Sequence, residues 1–237
     1  MKRRVIKTIC GAVIVGAVPA AWADTPCQHC GPGENWINSC AGGNDVISDS
    51  EADVGIYMNS TCSGDPASFR LLGPVTIHRE TGGSDTIATE IVSMHLTDGG
   101  LTLLAGTGAG LTRASPGSIV GAGSQGSSSF DVYFKVSGWV GTVWNHVPLH
   151  ITATITCVPP KAEYIHPHGQ CTPLYGQEGD GGTPVAYLGD AKHITYPWHG
   201  GIPTVSEWGL IVLTLLGMVL GTMMLARRRL PRASETG

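Results

Sequence analysis

One stretch near the end of the chain limits what the whole can be. Residues 209–226 contain no charged side chain, and only Thr214 and Thr222 among them are polar. The run stops at Arg227, Arg228 and Arg229. As a helix it would be roughly 27 Å long, enough to cross a hydrocarbon core. A helix satisfies its own backbone in lipid, so it can stand there alone. The three arginines are costly to translocate and act as a cytoplasmic stop. A buried helix of a soluble globule would need a large core around it and would leave the arginine block unexplained. Everything before Trp208 is therefore expected on the far side of a membrane, with Trp208 at the interface. Pro203 holds Ile202 extended, so the segment ahead of the span reads as an accessible strand.

The other end agrees. Residues 1–23 have a basic start (Lys2, Arg3, Arg4, Lys7), a short apolar centre and Ala21-Trp22-Ala23 before Asp24. This is the pattern of a secretory signal peptide with a small-x-small cleavage site. The segment, Cys10 included, is set aside from the fold.

Ile202, Pro203, Thr204, Val205, Trp208 and Gly209, followed by span and basic end, resemble the C-terminal sorting signals of bacterial envelope proteins. The class is the IPTLxxWG-CTERM signal, with Val205 in place of Leu. The resemblance implies a temporary anchor, gripped and removed by an exosortase-like membrane transpeptidase. The further partners expected are the secretion translocon and signal peptidase.

Between residues 24 and 201 the balance is acidic. Six of the 14 Lys+Arg fall there against 16 of the 18 Asp+Glu, a difference of −10 before histidines. Such a surface repels nucleic acid and anionic lipid. With Cys10 removed, six cysteines remain: Cys27, Cys30, Cys40, Cys62, Cys157 and Cys171. An even count in an exported chain reads as three disulfides. Spacing does not choose among the possible pairings. The bridges are expected to staple the Gly-rich N-terminal segment and the C-terminal loops onto a core.

Smaller motifs carry less. Cys27-Gln28-His29-Cys30 lacks the following His of a haem attachment site, because Gly31 stands there. Gly31-Pro32-Gly33 breaks the helix that a redox dithiol usually opens. Asp45, Asp49, Glu51 and Asp53 suit a solvated acidic loop better than a calcium loop, since the EF-hand glycine and bidentate Glu are missing. His166-Pro167-His168 could reach one metal ion from an extended loop but suits a surface loop equally. No metal or cofactor is assigned. No nucleophile elbow, HExxH, phosphate loop or dinucleotide fingerprint is present.

From Ala52 onward apolar and polar residues alternate. Phe130, Val132, Phe134 and Val136 interleave with Asp131, Tyr133 and Lys135; Ile151, Ala153, Ile155 and Cys157 interleave with His150, Thr152, Thr154 and Thr156. Period two with one polar face marks antiparallel strands with one buried side. The expected fold is all-β, an antiparallel β-sandwich with Greek-key or jelly-roll connections. The segments Gly73-Pro74-Val75-Thr76-Ile77, Thr89 to Thr97, Ser128 to Phe134 and Pro148-Leu149-His150 resemble a module found in exported bacterial proteins with such tails, over residues 68–195. That resemblance supplies no catalytic residues.

The resulting division is a signal peptide (1–23), a Gly/Cys-rich segment (24–66), a β-sandwich (67–195), a linker with the sorting motif (196–207), span and stop (208–229) and a cytoplasmic tail (230–237). The expected function is that of a non-enzymatic envelope or extracellular-matrix protein, possible partners including extracellular polysaccharide. The alternatives are a carbohydrate-binding module using Trp139, Trp144 and Trp198, or a metal-dependent hydrolase with a loop-built site.

Overall fold

The computed structural model describes residues 23–82, 86–121, 125–138, 141–167, 169–179 and 181–196. The signal segment, the sorting motif, the apolar run and its arginines lie outside these residues, as do Trp139, His168 and Trp198. Among the described residues no helix is long and apolar enough to cross a membrane.

The chain is all-β and antiparallel. Four long strands, β1 (Gly43–Tyr57), β2 (Ala67–Arg79), β3 (Thr86–Thr97) and β12 (Pro184–Thr195), form a continuous wall. Each remaining strand position is shared by two short strands end to end. The far half of β3 pairs with β4 (Thr102–Ala105) and its near half with β5 (Ser115–Val120). β6 (Gly126–Val132) and β7 (Phe134–Gly138) run on from each other, and so do β8 (Gly141–Asn145) and β9 (Leu149–Ile155). β10 (Glu163–Ile165) and β11 (Thr172–Tyr175) both pair with β12. Because β12 also pairs with β1 along most of its length, the sheet closes on itself as a barrel.

This corrects the expected two-sheet sandwich. A sandwich and a barrel both bury alternate residues of each strand, so alternation alone cannot separate them. Neighbouring strands here follow chain order, and no Greek-key crossing is needed. The acidic segment is corrected too: Asp45, Asp49, Glu51 and Asp53 lie in β1, not in a solvated loop, and Asp45 and Glu51 are buried. The sheet therefore starts at Gly43, inside the stretch read as a separate N-terminal segment.

The inward rows fill the barrel with Ile47, Leu71, Ile91, Leu96, Phe134, Ile151, Leu174 and Leu188, among others. One end is plugged by the N-terminal segment. Its single helical turn, α1 (Trp36–Ser39), drives Trp36 fully into the core. The ring rests on Gly126 of β6, where a Cβ would come within 2.3 Å of Trp36 Cζ3. We expect Gly126→Val to cost about 1–3 kcal/mol through overpacking. Adding Trp36→Leu should recover part of that loss in urea titrations; no recovery would mean the glycine serves the strand and not the ring.

Three disulfides fasten both ends. Cys27–Cys157 ties the plug to the end of β9, and Cys30–Cys40 closes the plug on itself. Cys62–Cys171 joins the loop after β1 to the loop between β10 and β11 at the other end. All six expected cysteines are used.

Candidate functional site

Among the described residues, four places gather polar or aromatic chemistry. The first lies at the plugged end. Arg79 Nε donates to both carboxylate oxygens of Asp45 at 3.1 Å. His29 Nδ1 lies 2.7 Å from Asp45 Oδ1, and His29 Nε2 is 3.6 Å from Asp24 Oδ1. Asp24 is held in turn by Val46, whose N–H donates to Asp24 Oδ2 at 2.7 Å. Burial pushes the Asp45 carboxyl above the usual range, against the pull of Arg79 and His29. Asp24, His29 and Asp45 bring three ligand atoms within 4.8 Å. The guanidinium of Arg79 already supplies the positive charge there, so the cluster works as a buried ion pair that fixes the plug. The Cys-x-x-Cys motif thus contributes its histidine to this cluster and its sulfurs to two different disulfides.

The second is the barrel interior. A cavity of about 40 Å³ is walled by Met94, Leu103, Val132, Phe134, Leu149, Ile151 and Leu188, with His193 at its edge. His193 Nε2 is buried with no hydrogen-bond partner among the described residues. Tyr164 is the titratable ring beside it, 6.3 Å away. Burial lowers the imidazole pKa from 6.5 to about 4. A depressed base contributes stability that is present above pH 6.5 and is lost as pH falls towards 4. Between pH 7.5 and 4, wild type should lose about 3 kcal/mol more than His193→Phe in urea titrations. Equal losses would show that the ring is hydrated in solution.

The third is an open groove of about 520 Å³ on the outer wall, crossing β2, β1, β12 and β10. Its charges are spent on one another. Lys192 Nζ lies 3.5 Å from Asp53 and 3.9 Å from Glu163, Arg70 pairs with Glu51, and Tyr57 donates to Asp190 at 2.7 Å. His166 lines it too, with Nδ1 2.9 Å from the carbonyl of His150.

The fourth is an aromatic face built at a fork in the sheet. Val132 pairs with Leu149 and Lys135 with Trp144, so residues 133 and 134 face the four residues 145–148. Two buried side chains repair the ladder there. Asn145 accepts from the Phe134 N–H at 2.7 Å and donates to the Val132 and Val147 carbonyls at 2.8 and 2.9 Å. Ser115 accepts from the Tyr133 N–H at 3.0 Å and donates back to its carbonyl at 3.2 Å. Such irregularities commonly re-aim a side chain. Here Tyr133 turns outward beneath Arg113, whose guanidinium sits 5.3 Å from the ring centre. Arg113 also donates to the His146 carbonyl at 2.7 Å. The His146 ring stacks on Tyr175 at 3.9 Å. Trp144 lies in register between Lys135 and Tyr175. Glu178 accepts from the Thr112 N–H and hydroxyl, and these bonds, with Lys135 and Arg113 nearby, hold its carboxyl below the usual range. Of the aromatics singled out in the sequence, Trp144 belongs to this face. Tyr133, Tyr175, Arg113 and Glu178 were missed, because register brings them together and spacing does not.

No family model matches the chain, and no curated protein matches it. Among solved structures, DynF from the dynemicin biosynthesis pathway of Micromonospora chersina is similar, with a TM-score of 0.56. The match covers 76% of this chain and 92% of DynF at 18% identity. At that identity the likeness is one of fold.

Proposed function

We propose that this chain is a non-enzymatic exported protein of the cell envelope or extracellular matrix, handled as a precursor through its C-terminal signal. The observation that carries the reading is the set of three disulfides clamping both ends of the barrel. Such bonds persist in oxidising compartments and are rare in the cytosol. The acidic excess of the exported stretch and the signal-like N-terminus point the same way. A binding or structural role is favoured over catalysis because the buried polar groups at the plugged end satisfy one another instead of converging on an open cavity. In this reading signal peptidase frees Asp24, the span holds the precursor in the membrane, and an exosortase-like transpeptidase acts at residues 202–209.

Fractionation of the host with and without its sorting transpeptidase tests this. The full-length chain should accumulate in the membrane fraction when the enzyme is absent. In its presence the protein should leave that fraction, and its intact mass should lack residues 210–229. A mature mass that retains those residues in both strains would refute the processing step.

A further inference from the structure

The aromatic face at β7, β8 and β11 has chemistry that the envelope reading leaves unused. Tyr133, Trp144 and Tyr175 are partly buried and alternate along their strands with the core residues Val132, Phe134, Val143 and Leu174, so they lie on the outer face of the barrel. Among the described residues the indole N–H of Trp144, the hydroxyls of Tyr133 and Tyr175 and the ammonium of Lys135 have no hydrogen-bond partner. By contrast, the hydroxyls of Tyr57, Tyr164 and Tyr196 and the indole of Trp36 are all bonded. Buried Asn145 and Ser115 are committed to holding the fork that presents Tyr133. Glu178 bonds Thr112 through Oε1, and these bonds do not use its Oε2.

We propose that this face binds a neutral glycan chain. Pyranose rings have apolar C–H faces and a rim of hydroxyls. They need flat aromatic surfaces together with donors and acceptors in the plane of the ring. Trp144 and Tyr175 lie side by side on adjacent strands, about 5 Å apart by ordinary sheet spacing. Trp144 provides the main stacking surface, and Tyr175, one face of which already carries the His146 ring, offers its other face. Lys135 and Trp144 donate to hydroxyls, and Glu178 accepts from them. An aliphatic partner would leave these polar groups unsatisfied. A polyanion would meet Glu178 on a molecule whose exported part is already strongly acidic.

The site deepens the envelope reading, but its test does not depend on export. Full-length protein in detergent is titrated calorimetrically with cellohexaose, β-1,4-mannohexaose and hexagalacturonate. At least one neutral hexasaccharide should bind, and hexagalacturonate should bind at least ten-fold more weakly. Trp144→Ala should weaken binding ten-fold or more, whereas Trp144→Phe should keep most of it. Lys135→Ala, at a partly buried position on β7, should weaken binding a few-fold. The proposal is overturned if neither neutral sugar binds, if hexagalacturonate is preferred, or if both Trp144→Ala and Lys135→Ala bind like wild type. Failure of export or processing in the host would leave this result untouched, and failure of binding would leave the localisation untouched.

Discussion

Replacing Cys62 and Cys171 by serine should remove about 5 kcal/mol of stability, and so should replacing Cys27 and Cys157. Removing Cys30–Cys40 should cost only about 3 kcal/mol. The ranking follows from the chain each bond encloses: sequence separations of 109 and 130 against 10. A crosslink stabilises chiefly by restricting the unfolded chain, and the restriction grows with the logarithm of the loop. A loss of about 5 kcal/mol is a large share of the 5–15 kcal/mol by which domains are usually stable. Urea titration of the three double variants without reductant measures the order. If the short-loop variant proved the least stable, native contacts at the plug, not chain entropy, would set the ranking.

Arg79→Leu should cost about 3–5 kcal/mol at neutral pH, because it strands the buried Asp45 carboxylate. The double variant Asp45→Leu/Arg79→Leu should recover most of that loss, since no buried charge is then left over. The pH dependence has a definite sign. Asp45 already titrates above 3.8 in the folded chain, because burial outweighs the attraction of Arg79. Its neutral form is therefore favoured by folding, a contribution present below pH 3.8 and lost as pH rises through the folded value. Without Arg79 that value rises further, so the Arg79→Leu deficit should shrink on acidification. A deficit independent of pH, or a double variant no better than the single one, would assign the loss to packing alone.

Much of the sheet was legible in the sequence, and the reasons are local. In β7 and β9 the alternation of Phe134 with Lys135, or Ile151 with Thr152, reports one buried face directly. The six cysteines announced three bonds because parity and an exported context suffice for that. Closure was not legible, because it depends on β1 meeting β12 across the whole chain. The burial of Asp45 and Glu51 was misread for a related reason: their partners, Arg79 and Arg70, lie on β2 and arrive only through register. The aromatic face was half visible. Trp144 stood out as a residue type, but Arg113, Tyr133 and Tyr175 join it only because the fork at residues 132–134 re-aims the sheet.

The seam between β1 and β12 also sets a timetable. Ser50 pairs with Thr195, and Tyr57 with Tyr187. A chain made from its N-terminus delivers β1 early and β12 last of the strands. Until β12 emerges, one margin of β1 presents bare amides and carbonyls that any extended polypeptide could capture. Such distant pairing is slow to form. Until that seam closes, then, the hazard is premature association between unfinished copies through the bare margin of β1.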